Sequence, residues 1–283
     1  MQFGPQRAIW ITGAAGRLGS AIEQRLDHSK YRVLTTDREL DVANLDAVME
    51  YASMNRPDVI INCAATASAV EAEENPVQAY RTNALGARNL AVASASVSGD
   101  IVHLSTDDVF AGKVRHAVNE FDAPNPTNVY GKSKVAAENF VRTLNTRHII
   151  VRSSWIYNTR EGDLLARILE AGRTNQPIEI PADQVSSPTS ADTLAEFVIA
   201  AIESGEFGIF HAACEGTCSR LEFAHTILKF AGLNPECATA AYNPDNSYHL
   251  ELDNLMLKMT GVFEMPHWRD DLQAFMTNHE LLG

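Results

Sequence analysis

The chain has 283 residues, 45% of them apolar and 21% charged, which is enough for a sizeable core and too apolar for a disordered segment. Its 23 Lys and Arg stand against 36 Asp and Glu, and the formal charge of −13 argues against a nucleic-acid partner. No run approaches the roughly 20 apolar residues of a membrane helix, and Cys63, Cys214, Cys218 and Cys237 form no disulfide or zinc framework, so a soluble cytoplasmic chain with reduced thiols is expected.

Short β-branched runs alternate with longer helical patterns through the first half. Strands are predicted at 8–12, 32–37, 58–65, 100–106 and 148–152. Helices are predicted at 17–26, around "NLDAVMEYASMN", from about Pro76 to Ser96, and through "NVYGKSKVAAENFVRTL", where Ala137, Phe140, Val141 and Leu144 form an apolar stripe. This cadence predicts an α/β fold, a doubly wound parallel Rossmann-type sheet. Past residue 152 the cadence breaks, with a helix capped by Ser190, a short strand at 208–213 and an amphipathic helix at 219–232. The expected organisation is a cofactor-binding domain over 1–152 plus the helix near 189–204, with a smaller C-terminal substrate lobe from 153–188 and 205–283. The last fifty residues read as polar and irregular.

"ITGAAGRLG" sets Gly13, Gly16 and Gly19 between the first strand and first helix. Gly13 allows a sharp turn, Gly16 lets backbone amides approach a pyrophosphate, and Gly19 allows close helix–strand packing, with Arg17 and Leu18 in the same segment. Asp37, at the end of the second strand, is placed to bond a ribose 2′-OH and favours NAD(H). Arg38 is suited either to a 2′-phosphate or to solvent, so NADP(H) stays open, and Asp41 and Val42 are expected beside the adenine.

Tyr130 and Lys134 lie four apart on one predicted helix, so both project from one face. A phenol titrates near 10 in isolation, and an adjacent ammonium is expected to pull it down and to hold the nicotinamide ribose. Ser105 and Thr106 end the fourth strand, on the side of a parallel sheet where ligands bind. Thr106 is therefore expected to meet a substrate carbonyl while Tyr130 donates the proton. Asp107 and Asp108 follow, and Asp108 reads either as a substrate contact or as a turn stabiliser. His103, His211 and His225 read as packing residues, His249 and His267 as candidates for the substrate border, and no cluster has metal-ligand spacing.

Together with "INCAA", "LSTDDVF", "NPTNVYGKSK", "VRSSWIY" and "DQVSSPTSADTLA", these motifs resemble the extended short-chain dehydrogenase/reductase superfamily, and within it the dTDP-4-dehydrorhamnose reductase family. The resemblance implies NAD(P)H-dependent reduction of a 4-keto group on a nucleotide-linked 6-deoxy sugar, with Thr106, Tyr130 and Lys134 as catalytic triad. It also implies that Trp155 contacts the sugar, that Asn83 edges the cofactor cleft, that Ala64 and Ala65 run beneath the cofactor, and that a homodimer is compatible. The same superfamily holds epimerases, dehydratases and a cofactor-binding regulatory subunit, which are the alternatives.

The match departs from the family at three places. Asp108 and Ala111 replace a Tyr and an Asp after the fourth strand, "NTREGDLLARIL" replaces a Gly-rich turn, and Asn243 of "YNPDNS" replaces an Arg thought to hold the nucleotide. Arg152, Arg160, Arg167 and Arg173 are the cations available to compensate.

Overall fold

The computed structural model describes residues 6–112 and 116–283. In chain order the elements are β1 (Arg7–Thr12), α1 (Arg17–Arg25), β2 (Tyr31–Thr36), α2 (Leu45–Asn55), β3 (Val59–Asn62), α3 (Ala69–Glu74), α4 (Pro76–Tyr80), α5 (Gly86–Ser96), β4 (Asp100–Thr106), α6 (Val129–Leu144) and β5 (His148–Ser153). There follow β6 (Ile156–Tyr157), α7 (Leu164–Thr174), β7 (Ile178–Pro181), β8 (Gln184–Ser186), β9 (Thr189–Ser190), α8 (Ala191–Ser204) and β10 (Gly208–His211). The chain ends with β11 (Cys218–Ser219), α9 (Arg220–Phe230), β12 (Ala238–Ala241), β13 (Tyr248–His249), α10 (Leu255–Thr260) and α11 (Trp268–Asn278).

The chain divides into two compact units, one of residues 1–111, 123–152 and 195–210, the other of 112–122, 153–194 and 211–283. These bounds differ from the sequence-based ones at three points. Residues 112–122 and 189–194, predicted with the first domain, join the second unit, and residues 205–210, predicted with the lobe, complete the first.

The first unit is built on a six-stranded sheet of order β10-β5-β4-β3-β1-β2, in which β1 pairs parallel with β2 and β3, and β3 with β4. The chain leaves β1 for β2 on one side and returns as β3 on the other, so the loops after β1 and β3 diverge at a switch point, where a crevice forms. Trp10, Ile60, Leu90, Ile101, Val141 and Ile150 pack in its core, and each such side chain contributes about 1.5–3 kcal/mol on burial. The single helix predicted from Pro76 to Ser96 is interrupted by a π-helical turn at Arg81–Leu85.

The second unit carries three small sheets, of orders β11-β8-β13, β12-β7 and β6-β9. The tail predicted as irregular instead forms α10 and α11, and α11 buries Trp268, Leu272, Phe275 and Met276. The prediction failed because Asp270 and Asp271 interrupt the apolar run. Asp271 is in fact buried, accepting hydrogen bonds from Tyr157, Ser190 and Thr193.

Candidate active site

The loop from β1 to α1 is shaped by its glycines. Gly13 has φ +65°, and a Cβ there would stand 2.7 Å from the Ala64 nitrogen. A Cβ on Gly19 would stand 2.4 Å from the Gly13 carbonyl, so helix and strand meet backbone to backbone. Gly16 is different, because its Cβ would meet nothing but the Gly13 oxygen, at 3.0 Å. What a side chain at Gly16 would take up is the space above the loop. Gly16 also caps α1 without a side-chain hydrogen bond, and the first turn of α1 has no acidic residue. The N-termini of α2, α6 and α9 are instead capped by the Asn44, Asn128 and Ser219 side chains. A helix N-terminus kept clear of side-chain acceptors suits an external anion such as a pyrophosphate. Arg17 is exposed, whereas Leu18 is buried and offers only its backbone.

Asp37 follows β2 and is part-buried; its backbone N–H donates to the Glu39 carboxylate at 2.8 Å. Arg38 is exposed. Asp41 pairs with Arg81 at 2.8 Å in the open, and the Val42 side chain packs against Gly86 in the core. Ala64 and Ala65 leave β3 beside Gly13. Asn83, on the π-helical turn, is buried and fully engaged. Its oxygen accepts from the Thr66 N–H at 2.8 Å, and its amide donates to the Thr66 carbonyl and to Ser133 Oγ. Asn83 thus braces the Ala64–Thr66 segment against α6, one residue from Lys134.

Thr106 ends β4, and Asn128 caps α6 by accepting from the Gly131 N–H at 2.7 Å, which fixes Tyr130 in the helix's first turn. The Thr106 hydroxyl lies close enough to the Tyr130 phenol to act on its ionisation. Burial of the hydroxyl end raises the Tyr130 phenol above its usual 10; Asp108 and Asp107 push it the same way, while Thr106 and the Arg17 charge oppose. The sequence predicts the opposite direction. Lys134, expected to pull the phenol down, has its Nζ donating to the Leu104 carbonyl at 2.5 Å, and burial and the two carboxylates dominate at the phenol. Lys134 is itself buried, and desolvation lowers it to about 8 against the opposing pull of Glu138 and Cys63.

Asp108 is part of this cluster. One of its oxygens accepts from the Asn128 amide at 2.9 Å, and the other lies 3.5 Å from Thr106 Oγ, which also accepts the Asp108 N–H at 3.2 Å. Its carbonyl oxygen lies where a Cβ on Gly131 would fall, 2.0 Å away, so α6 packs on this turn without a side chain between. The Thr106 hydroxyl also lies 3.2 Å from an Asp107 carboxylate oxygen.

Beneath the cluster, Glu138 and Arg152 form a buried two-point ion pair at 3.0 and 2.7 Å, and Ser105 donates to the same carboxylate at 2.6 Å. Arg152 is therefore spent inside the first unit and is not a cation for a ligand. His103 and His211 are fully buried, and His267, read as a substrate-border candidate, instead caps α11. The sequence reading passed over Asn128, Ser133 and Glu138; the one available signal was Glu138's position four residues after Lys134, on the same helix face.

In the second unit Trp155 follows β5 in a left-handed conformation, φ +38°. Its indole N–H donates to the Tyr248 hydroxyl, and the Arg220 guanidinium lies 4.0 Å over its ring. Arg167 and Arg173 line a cavity of about 600 Å³ beside α7 in that unit. Among the described residues no helix is long and apolar enough to cross a membrane.

Fold and site together define a dinucleotide-binding oxidoreductase of the short-chain dehydrogenase/reductase type. The model of the RmlD substrate binding domain matches residues 7–281, and the chain belongs to that family. It is 31% identical over 275 residues to the spore coat polysaccharide biosynthesis protein SpsK of Bacillus subtilis, covering 95% of this chain and 96% of that one. It is 33% identical over 276 residues to a dTDP-4-dehydrorhamnose reductase of Mycolicibacterium smegmatis, covering 94% and 84%. The crystal structure of a Bacillus anthracis dTDP-4-dehydrorhamnose reductase in complex with NADP superposes with a TM-score of 0.91 at 32% identity, covering 97% of this chain and 100% of the other.

Proposed function

We propose that this protein reduces the 4-keto group of a dTDP-linked 6-deoxyhexose with NADH or NADPH. The observation that carries the reading is the placement of Thr106 at the end of β4 and of Tyr130 in the first turn of α6, close enough to act on one another, with Lys134 one helical turn on and the glycine loop on the same unit. The glycine loop fits a dinucleotide, since Gly16 leaves its backbone open and α1 presents an N-terminus without a competing carboxylate. Gly13, Gly16, Arg17, Leu18 and Gly19 would hold the pyrophosphate, Asp37 and Arg38 the adenosine ribose, Asp41 and Val42 the adenine edge. Ala64 and Ala65 would form the floor, held by Asn83. The cofactor's part is to deliver hydride to the carbonyl carbon.

Thr106 orients the carbonyl oxygen, and Tyr130 hands it a proton. A phenol held above its usual range stays protonated at neutral pH, as a proton donor must. Lys134, cationic up to about pH 8, offers charge to the phenolate and a donor to the ribose. Trp155 packs on the sugar ring, and Asp107 flanks the substrate. Asp108, already bonded to Asn128, supports the reductase reading over a dehydratase, which needs a second acid free to act. Four free thiols suit a reducing, cytosolic setting.

The test is loss of absorbance at the nicotinamide band with NADH and NADPH, each against dTDP-4-keto-6-deoxymannose, for the wild type and Tyr130→Phe. Turnover in the wild type, falling at least 100-fold in the variant with cofactor affinity kept, is expected. Undiminished turnover in Tyr130→Phe would remove Tyr130 from the chemistry.

A further inference from the structure

Arg220 opens α9 of the second unit, and its surroundings differ from those of the ion-paired arginines. Arg7 and Arg147 share Asp100, Arg81 pairs with Asp41, Arg152 with Glu138 and Arg269 with Glu222. Arg220 is part-buried, and its partners are all neutral. Nε donates to Gln184 Oε1 at 2.6 Å, Nη2 donates to the Tyr248 hydroxyl at 3.2 Å, and the guanidinium plane stacks on Trp155.

This cradle is fixed in place. Gln184 is buried, and its own amide donates to the Asn246 carbonyl at 3.2 Å, so its oxygen faces Arg220. Tyr248 meets the Trp155 ring edge-on, and Gly112 lets the Tyr248 Cβ approach where any side chain would collide, at 2.6 Å. Trp155 is held at φ +38°, a conformation that costs a bulky residue about 1–3 kcal/mol and that recurs at ligand sites. A guanidinium has five N–H donors, and the cradle engages two. In a chain with 36 acids to 23 bases, a part-buried guanidinium with no acidic partner among the described residues, stacked on an indole and with donors to spare, is suited to an external anion.

We propose that Arg220 binds the diphosphate of the nucleotide-linked substrate, stacked on Trp155 so that its remaining donors point at phosphate oxygens. The assignment rests on the reductase reading for the identity of the anion. It makes Arg220 a determinant of affinity, since a diphosphate keeps its charge throughout reduction at a distant carbonyl.

The experiment is calorimetric titration of dTDP and of thymidine into the wild type, Arg220→Met and Arg220→Lys, with NADPH affinity and melting temperature measured on each. Arg220→Met keeps the stem that covers Trp155 but lacks the charge, so dTDP should weaken at least 30-fold and thymidine less than threefold. Arg220→Lys should fall between, because it keeps charge without the planar fork. The KM for the keto sugar should rise in step with the dTDP dissociation constant, with a smaller effect on kcat. Equal losses for dTDP and thymidine would make Arg220 a mere prop for Trp155, and unchanged dTDP binding would remove it from the site; either overturns the proposal. Failure of the reductase reading looks different: the wild type would bind dTDP in an Arg220-dependent way yet turn over no dTDP-linked keto sugar.

Discussion

Asp108→Asn isolates one charge in the cluster that sets the proton donor. The introduced carboxamide keeps an oxygen for the Asn128 amide, and the Asp108–Thr106 approach of 3.5 Å is at the limit of a hydrogen bond, so little structure is lost. The carboxylate lies 3.5 Å from Thr106 Oγ and close enough to the Tyr130 hydroxyl to raise it. A charge roughly 6 Å away at an effective dielectric of roughly 20–40 is worth about 1–2.5 kcal/mol, or about one pH unit or somewhat more.

The sign follows from the phenolate being the charged form. Asp108 disfavours it and raises the phenol, so the variant's phenol falls. Reduction needs the protonated phenol, and the alkaline limb of kcat for the keto sugar should move down by about one unit. Lys134 also titrates on that side, near 8, but Asp108 does not contribute to its position, so the Lys134 contribution stays put between the two enzymes. The assay is stopped-flow oxidation of NADPH from pH 6 to 11 at saturating substrate. An alkaline limb that stays in place, or that moves upward, refutes the reasoning.

Three other perturbations have defined outcomes. Arg152→Met leaves Glu138 buried with only Ser105 as partner and should cost about 3–5 kcal/mol in urea unfolding, whereas Arg152→Met with Glu138→Leu should recover most of it. Gly19→Ala puts a Cβ 2.4 Å from the Gly13 carbonyl, pushing α1 from β1, and should weaken NADPH at least tenfold by fluorescence titration. Lys134 is depressed in the folded protein to about 8, so between about 8 and its unfolded value of 10.5 the unfolded chain binds more protons. Its unfavourable contribution is complete below 8 and is relieved as pH rises, so the wild type should gain stability relative to Lys134→Met across that window, at up to about 1.4 kcal/mol per pH unit. Parallel urea curves at every pH would contradict the assigned burial.

The parts of this site that obey local rules were legible in the sequence. Gly13, Gly16 and Gly19 between a β-branched run and a helical one, and Tyr130 and Lys134 four apart, need only the periodicities of strand and helix to find their places. What escaped depends on contacts between distant segments. Asn128 reads as a loop residue until the helix it caps is built, and Arg152 reads as a cation available to a ligand until α6 brings Glu138 beside β5. Arg220 escaped for the same reason: its meaning comes from Gln184 and Tyr248, 36 and 28 residues away. The acidic residues of α11 misled because a buried Asp271 is tolerable only with three hydroxyls around it, which no local pattern records.

The direction of the Tyr130 shift separates two designs that share one motif. A tyrosine pulled down by an adjacent ammonium is more often ionised and ready to take a proton from an alcohol, while one pushed up by burial and two carboxylates stays protonated for a carbonyl oxygen but is the weaker acid. Asp107 and Asp108 both press Tyr130 toward the protonated form. The residue that departs from the family pattern at position 108 therefore bears on the chemistry as well as on the turn, since it strengthens the hold on the proton that reduction consumes. The same charge opposes the phenolate in both directions, as the group left by proton donation and as the base that alcohol oxidation requires. Alcohol oxidation by the wild type should accordingly need a higher pH than oxidation by Asp108→Asn.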